Sequence, residues 1–223
     1  MFQHYCVLCE GLAEGRDLCV ACQADLPWLG ASCVRCARPL ATAPGAAWCG
    51  RCLRRPTLQA ATRVAFRYAF PIDQLLQKLK FGGSLPPGRV LGELLAQALS
   101  RCEAGVEALV PVPLHPRRMR ERGFNQAVEI ARPIARALEL PLLTRACRRV
   151  RDTPAQSGLD ARARRRNPVG AFTASDTVHG KRIAIIDDVY TSGSTIAAVT
   201  HALLHAGATR VEAWCVARGG TGS

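Results

Sequence analysis

The sequence predicts an α/β protein in which a parallel sheet flanked by helices follows a small N-terminal metal-binding unit. Two observations carry this prediction. Short runs of β-branched apolar residues, of which Ile183–Ile186 is the clearest, alternate with segments that have the apolar period of a helix. Eight of the eleven cysteines lie within residues 1–57, a segment too poor in apolar residues to fold from a core alone. We therefore predict a small domain over residues 1–57 and an α/β domain over residues 58–223.

The eight N-terminal cysteines form four Cys-x-x-Cys pairs, namely Cys6/Cys9, Cys19/Cys22, Cys33/Cys36 and Cys49/Cys52. Two thiolates at this spacing supply one edge of a tetrahedral zinc site, and a second pair closes the site. Sequential pairing gives two four-cysteine zinc ribbons, and a crossed arrangement, in which the first and third pairs share an ion, fits the count equally well. A closed site of four cysteines has no open ligand position, so we expect two structural Zn²⁺ ions.

The composition excludes some classes of protein and points to an anionic partner. Of the 223 residues, 48% are hydrophobic, which excludes a disordered chain. With no apolar run of about eighteen residues and no signal peptide, we expect a cytoplasmic protein without membrane insertion. The net charge is +13, and the segment from Arg117 to Arg166 holds fourteen arginines against five acidic residues. Arginine-rich composition as such is the alternative explanation of this charge.

The α/β domain begins with a predicted strand over Thr62–Tyr68 and a predicted helix over Ile72–Leu79, which a glycine pair ends. Lys80, one of only three lysines, is a candidate to contact an anion, and a simple helix-end charge is the alternative. A second helix is predicted from near Val90 to Ser100, after a Pro-Pro-Gly turn.

A strand is predicted over Ala108–Leu114, where Pro111 and Pro113 cannot donate hydrogen bonds to a sheet and so form a rigid end. A cluster of arginines follows, from which we single out Arg117 and Arg122, and then a helix that begins after Gly123–Gln126. Guanidinium groups at the end of a strand are suited to phosphate or carboxylate oxygens. A basic turn at the surface would have the same pattern.

The segment Arg148–Arg166 has almost no apolar periodicity, which predicts a surface loop. Its arginines, including Arg166, could neutralise a bound pyrophosphate, or the loop could be merely solvated. The last strand is predicted over Arg210–Val216, and the residues from Arg218 to Ser223 are predicted to fray.

The most informative stretch runs from Arg182 to Thr195. After the strand Ile183–Ile186 come two carboxylates, Asp187 and Asp188, at the point where we expect the strand to end. Small hydroxyl residues then surround a glycine, and a helical pattern follows; the five residues of this loop are Thr191, Ser192, Gly193, Ser194 and Thr195. A helix start with unpaired N–H groups favours a phosphate, and acids at a strand end suit ribose hydroxyls and hydrated Mg²⁺.

This pattern resembles the phosphoribosyl pyrophosphate (PRPP) signature of type I phosphoribosyltransferases. The resemblance implies that Asp187 and Asp188 hold the ribose 2′- and 3′-hydroxyls, that Thr191–Thr195 holds the 5′-phosphate, and that Mg²⁺ accompanies PRPP. A Walker A loop is a poorer match, because no lysine follows the glycine.

Nearly the whole chain resembles the ComF (ComFC) competence proteins, a double zinc ribbon followed by a type I phosphoribosyltransferase domain. The resemblance is carried by the cysteine pairs, Leu79–Phe81, Val110–Leu114 with Arg122–Gln126, Thr153–Gln156 with Arg166–Asn167, and Asp187–Thr195. It implies that Val110–Leu114 is the pyrophosphate loop and Arg151–Arg166 a flexible catalytic hood. It also implies a role in natural transformation, in which the protein handles incoming single-stranded DNA beside a helicase-like partner.

Two other functions stay open from the sequence. One is a small-molecule phosphoribosyltransferase of salvage or biosynthesis, and the other is a noncatalytic nucleic-acid or protein adaptor on the same fold. No pocket for a particular acceptor can be derived from the sequence, so the acceptor substrate stays unidentified.

Overall fold

The computed structural model describes residues 4–40, 47–100, 105–151 and 170–220. Three sequence predictions therefore lie outside the described residues, namely Arg166, the motif Thr153–Gln156 and most of the loop predicted over residues 148–166. Within the described ranges, no helix is both long enough and apolar enough to cross a membrane.

The N-terminal part consists of two small cysteine-centred units with little regular structure. The first cysteine unit, around Cys6, Cys9, Cys19 and Cys22, contains the paired strands β1 (His4–Tyr5) and β2 (Leu12–Ala13) and the short helix α1 (Val20–Ala24). The second cysteine unit, around Cys33, Cys36, Cys49 and Cys52, contains the short helix α2 (Gly50–Arg54). Each helix begins directly after the first cysteine of a pair, so both pairs continue into a helical turn.

The rest of the described chain alternates strands and helices. Its elements are β3 (Ala61–Arg67), α3 (Ile72–Phe81), α4 (Pro86–Leu99), β4 (Ala108–Pro111), α5 (Pro116–Arg122), α6 (Gln126–Ala137), β5 (Cys147–Arg149), β6 (Phe172–Ala174), β7 (Arg182–Tyr190), α7 (Ser194–His205) and β8 (Arg210–Arg218). Four strands form a parallel sheet in the order β3-β8-β7-β4, and β5 pairs with β6 antiparallel in a separate ribbon. The predicted parallel sheet flanked by helices is confirmed.

Strand β7 shows why the central strands read as continuous apolar runs. Ala184 and Ile186 belong to the core on one face of the sheet, which α3, α4 and α6 cover. Ile183 and Ile185 belong to the core on the other face, which α7 and the β5-β6 ribbon cover. A strand buried on both faces cannot alternate with polar residues. Helices α4 and α6 approach closely at Gly92, where an added Cβ would lie 2.3 Å from the Ile130 carbonyl oxygen.

The N-terminal part covers the edge strand β3. The Leu29 amide donates to the Ala65 carbonyl at 2.9 Å, and the Thr62 amide donates to the Val34 carbonyl at 2.7 Å. The Trp28 ring packs on Phe66 with 4.5 Å between centroids. The open edge of the sheet is thereby paired and shielded. The predicted domain boundary at residue 57 stays a prediction, since this interface joins both parts.

Two predicted boundaries are wrong for reasons of local geometry and pairing. Helix α4 begins at Pro86 rather than near Val90, because proline is well suited to the first turn of a helix, where no N–H partner is lost. Strand β7 does not end at Ile186 but continues to Tyr190, because β8 continues to pair with it as far as Arg218.

Two segments that were predicted as irregular are ordered strands. Cys147–Arg149 forms β5, because β6 pairs with it from beyond the loop, a long-range contact that no local pattern announces. Arg218 does not fray: it is the last residue of β8 and only 5% exposed.

Candidate functional site

The carboxyl ends of β4 and β7 open onto a cleft of about 970 Å³, here called the first cleft. Its walls are the end of α3, the segment Val112–Leu114 with α5, and the loop Thr191–Thr195 that leads into α7. Open α/β sheets bind their ligands at this edge. The structure therefore brings most of the predicted site residues to one place.

The two acids lie at the floor of the first cleft because β7 extends beyond the end of its neighbour β4. Strand β4 ends at Pro111, which pairs with Ile186, whereas Asp187 still pairs with Cys215 of β8. Beyond the end of β4 the edge of β7 is open to the cleft. Asp187 and Asp188 are nevertheless buried, at 8% and 6% exposure.

These carboxylates have pKa values that are shifted in opposite directions. The Asp187 carboxylate accepts a hydrogen bond from the Asp188 amide at 2.9 Å, and the Asp188 carboxylate accepts one from the Val189 amide at 2.8 Å and forms an ion pair with the Lys80 ammonium. Burial, together with the charge of Asp188, raises the pKa of Asp187 well above its usual value. Burial also opposes ionisation of Asp188, but the Lys80 charge and the hydrogen bonds to the Asp188 carboxylate together lower its pKa. The first proton that the pair takes up as the pH falls is therefore shared by two coupled carboxylates, of which Asp187 is the more basic.

The Thr191–Thr195 loop is shaped by Gly193 at its centre. Gly193 has a positive φ of 78°, and an added Cβ would lie 2.3 Å from the Tyr190 hydroxyl, so glycine is required here. The Ser192 hydroxyl accepts from the Ser194 amide at 3.3 Å and lies 2.8 Å from the Ser194 hydroxyl. Helix α7 begins at Ser194, so the loop presents the positive end of its dipole.

Predicted loop residues divide between two cavities. Thr191, Gly193, Ser194 and Thr195 line the first cleft, whereas Ser192 lines a different cavity on the other side of the loop. Gly193 and Ser194 border both cavities, so the loop lies between them.

Basic side chains stand opposite the loop, and one of them differs from the prediction. Lys80 and Arg122 line the first cleft, and Arg122 donates to the Gln126 side chain at 2.6 Å. Arg117 lies outside the first cleft, exposed and paired with Glu121 at 3.0 Å. Arg118 lines the cleft instead. Residues four apart in a helix lie on the same face, so Arg118 shares a face of α5 with Arg122, whereas Arg117 does not. That spacing was the signal available in the sequence.

Arg149 also lines the first cleft; it belongs to the Arg148–Arg166 segment whose arginines were expected to neutralise a pyrophosphate, but the sequence did not single it out. It lies on β5, and its guanidinium stands 5.6 Å from the Phe172 ring of the partner strand β6. Only the β5-β6 pairing places it at the cleft, so the sequence held no signal beyond its charge.

A buried arginine ties the loop to the second cysteine unit. The Arg218 guanidinium donates to the Cys36 carbonyl at 3.2 Å and, on the other side, to the carbonyls of Tyr190 at 2.9 Å and Thr191 at 2.8 Å. Burial lowers the pKa of Arg218, although the group stays fully protonated at neutral pH. An arginine that ends an otherwise apolar strand was the sequence signal, and it was interpreted as fraying.

Tyr190 supports the same loop from beneath. Its hydroxyl accepts a hydrogen bond from the Gln59 amide at 3.1 Å, and Gln59 also donates to the Thr62 hydroxyl at 3.0 Å. Burial raises the pKa of Tyr190 to about 12, so the phenol is neutral and serves as a packing and hydrogen-bonding group. The residues that join the N-terminal part to the sheet therefore also fix the position of Gly193.

The cysteines form two separate four-sulfur clusters. Cys6, Cys9, Cys19 and Cys22 group together, as do Cys33, Cys36, Cys49 and Cys52, with all ligand atoms of each group within 4.8 Å of one another. Sequential pairing is therefore the observed arrangement and the crossed one is excluded. Closest sulfur distances are 3.8 Å between Cys9 and Cys19 and 3.6 Å between Cys36 and Cys49. A tetrahedron with Zn–S bonds of about 2.3 Å has edges of about 3.8 Å, so both clusters fit structural Zn²⁺.

We predict that removing zinc destabilises the whole chain. Sulfurs of both clusters lie in the two core clusters of the sheet, so unfolding of the cysteine units exposes the helices beneath them. A contribution of even about 3 kcal/mol would lower the melting temperature by about 6–12 °C in a chain of this size. Scanning calorimetry with a chelator, followed by zinc readdition, measures this. A separate, unshifted transition of the α/β part would contradict the prediction.

Family models match both parts of the chain. Residues 1–53 match the double zinc ribbon domain, and residues 125–223 match the phosphoribosyl transferase domain. Among solved structures, that of the allosteric regulatory enzyme of purine biosynthesis covers 63% of this chain and 30% of its own, with 20% identity and a TM-score of 0.43.

Two relatives match most of the chain. DNA utilization protein YhgH of Escherichia coli (strain K12) is 37% identical over 175 residues, which are 76% of this chain and 77% of the relative. Competence protein F of Haemophilus influenzae is 31% identical over 231 aligned positions, which cover 97% of this chain and 98% of the relative. The chain therefore belongs to the ComF family, which unites a double zinc ribbon with a phosphoribosyltransferase-type domain and includes Competence protein F and DNA utilization protein YhgH.

Proposed function

We propose that this protein binds PRPP or a related ribose phosphate together with Mg²⁺ in the first cleft, and that it uses this site in the cytoplasmic handling of incoming single-stranded DNA. One observation carries the proposal. The paired acids Asp187 and Asp188, the loop from Thr191 to Thr195 and the basic side chains of α3 and α5 line one cleft, as a ribose that carries a 5′-phosphate and a pyrophosphate requires.

The loop supplies the 5′-phosphate site. Its backbone N–H groups at the start of α7, together with the hydroxyls of Thr191 and Thr195, are donors without bulk. Gly193 allows the backbone to curl closely around the anion. At the other end of the ligand, Lys80, Arg118 and Arg122 would neutralise the pyrophosphate, with arginine able to donate two parallel hydrogen bonds to phosphate oxygens.

Asp187 and Asp188 would hold the ribose hydroxyls and the metal. Mg²⁺ prefers one or two carboxylates plus phosphate oxygens and water, and the two adjacent buried carboxylates at the floor of the cleft fit that donor set. Held by these residues, Mg²⁺ would offset the negative charge of the phosphate oxygens. Lys80 would then exchange its ion pair with Asp188 for one with the pyrophosphate, and it would stay positively charged throughout.

The same residues suit a transfer reaction. If pyrophosphate leaves C1 of the ribose, positive charge develops on the sugar and negative charge on the leaving group. The acids face the first charge and the basic side chains face the second, within a cleft that limits access of water. The acceptor is not identified by any residue of the cleft.

The role in DNA handling is supported by charge and by the relatives. The segment from Arg117 to Arg166 carries fourteen of the thirty lysines and arginines of the chain. Names of the relatives refer to competence and to DNA utilization. A cytoplasmic location is supported by the two four-cysteine clusters, since thiolates that hold zinc persist in a reducing compartment.

A noncatalytic adaptor is the second candidate, and the ion pair between Lys80 and Asp188 favours it. That pair already satisfies one carboxylate without any ligand, as expected of a fold that has lost its chemistry. DNA binding that survives replacement of both Asp187 and Asp188 would favour the adaptor. Release of pyrophosphate with a purified small acceptor would instead establish a salvage or biosynthetic phosphoribosyltransferase.

Asp187→Asn is the variant that tests the ligand site most cleanly. Burial raises the pKa of Asp187, so a neutral amide disturbs this position less than it would disturb Asp188, whose replacement by Asn would leave the Lys80 ammonium without its partner. We expect calorimetric titration with PRPP to show saturable, Mg²⁺-dependent binding in the wild type and binding at least tenfold weaker in Asp187→Asn. Asp176→Asn, the same change at an exposed turn, is the matched control. Equal affinity of all three proteins would remove Asp187 from the site.

Binding of Mg²⁺ and PRPP should release a proton. The pKa of Asp187 is raised in the free protein and must fall when the metal binds, so affinity should increase as the pH rises above the usual aspartate value and level off above the raised pKa. The binding enthalpy should then depend on the ionisation enthalpy of the buffer, with one more proton released by the wild type than by Asp187→Asn. An identical buffer dependence in both proteins would show that Asp187 does not titrate on binding.

Arg218→Lys should weaken PRPP binding about tenfold without loss of zinc. Lysine is a point donor that cannot span the carbonyls of Cys36, Tyr190 and Thr191 at once, so the loop loses its fixed position. Arg210→Lys, at the exposed start of the same strand, should stay within about twofold. Calorimetry and a zinc assay on both variants measure this, and normal affinity of Arg218→Lys would show that the link to the second cysteine unit is not needed.

A further inference from the structure

A second cleft, of about 660 Å³, lies on the opposite side of the Thr191–Thr195 loop from the first. It is enclosed by the second cysteine unit, the segment Pro56–Gln59, the start of α7 and the end of β8. Tyr190, Gly193 and Ser194 belong to both cavities, so the loop is the wall between them. The proposed ribose-phosphate site makes no use of this second cleft.

The second cleft is lined by positive charge from two parts of the fold. Arg38, Arg51 and Arg55 come from the second cysteine unit and the residue that follows α2, and Arg218 comes from β8. Among the described residues that line it there is no acid, whereas the first cleft contains Asp187, Asp188 and Glu121.

The arginines of the second cysteine unit are held without counter-charges. Within the described ranges, no ion pair involves Arg38, Arg51 or Arg55, although the arginines nearby at Arg63 and Arg210 both pair with Glu212. Arg38, Arg51 and Arg218 line the same cleft, and the charges of Arg38 and Arg51 add to the lowering that burial causes in the pKa of Arg218. Such repulsion costs free energy in the empty protein, and a bound anion would relieve it.

One side of the second cleft is apolar. Leu58 is 57% exposed toward it, and Phe172 and the alanines of the first turns of α7 line the same side. A planar apolar group can pack there while an attached anion reaches the arginines. Phosphate oxygens match the guanidinium fork, and a nucleobase is the planar group that phosphates carry.

We propose that the second cleft is a nucleotide-binding site, with the phosphate held by Arg51, Arg55 and Arg38 and the base packed against Leu58 and Phe172. This inference rests on the DNA-handling part of the proposed function and is independent of ribose-phosphate binding in the first cleft. The nucleotide comes either from a single strand that crosses the second cysteine unit or from a free mononucleotide, since both present the same phosphate and base.

The test compares two double variants of equal charge. Arg51→Ala with Arg55→Ala removes two arginines of the second cleft, and Arg54→Ala with Arg16→Ala removes two arginines of the cysteine units that do not line it. Arg54 lies on the same short helix as Arg51, so the comparison separates position from net charge. A zinc assay and a thermal melt establish that both variants are folded.

Binding of a fluorescent oligothymidylate of about 15 nucleotides is measured by anisotropy across a range of salt concentrations. We expect the Arg51/Arg55 variant to bind at least tenfold more weakly, with a salt slope smaller by up to about 0.7, because the one phosphate that these arginines hold contributes about 0.7 to the slope of a single strand. The Arg54/Arg16 variant should lose less than about threefold. PRPP binding, measured by calorimetry, should be the same in both variants and the wild type.

Competition with thymidine monophosphate identifies the source of the nucleotide. Displacement of the oligonucleotide by the monophosphate means that the site takes a free nucleotide, and absence of displacement means that it needs a strand; both support the site if the Arg51/Arg55 variant loses binding. Equal losses in the two double variants would overturn the proposal, because net charge alone would explain them. The proposal would also be overturned if the wild type bound neither the oligonucleotide nor thymidine monophosphate, whether or not it binds PRPP. Loss of PRPP binding together with oligonucleotide binding in the Arg51/Arg55 variant would overturn it as well.

Discussion

Two adjacent carboxylates buried at the end of β7 are the constraint on which the rest of the site depends. Burial and mutual repulsion both oppose ionisation of the pair, so full ionisation needs a nearby cation. Lys80 supplies that cation from the end of α3, and it is held close enough to raise its own pKa despite its burial. The carboxylate charge at the floor of the first cleft is therefore offset by a lysine that lines the same cleft.

The two cysteine units contact the elements on either side of the first cleft, in which Lys80 and the carboxylates lie. On one side, Lys78 donates to the Val7 carbonyl at 3.0 Å and Asp17 pairs with Arg89, so the first cysteine unit fixes α3 and α4, and with them Lys80. On the other side, Arg218 joins the second cysteine unit to the Thr191–Thr195 loop. The two cysteine units thus contact elements on both sides of the first cleft.

The fold and the central motif could be predicted because their signals are local. The order of strand, acids, loop and helix start is contained within Arg182–Thr195. The two-residue spacing within each cysteine pair indicates a zinc site without any information from distant residues. What could not be predicted depends on distant partners: β7 is longer than expected because β8 pairs with it, and Arg149 reaches the cleft only through β6. Arg118 is the exception, since the helical period of α5 would have selected it over Arg117.

The contrast between the two clefts follows from the same loop geometry. On the side of the first cleft, acids and bases face each other, which suits a ligand that carries both hydroxyls and phosphates and brings its own metal. On the side of the second cleft the described lining is basic and apolar, which suits a nucleotide without a metal. Because Arg218 donates to the carbonyls of both Thr191 and Cys36, a shift of the second cysteine unit on binding a nucleotide would also shift the loop that we propose holds the ribose phosphate. A shared wall held by one buried arginine is thus the physical basis on which the two sites could influence each other's affinity.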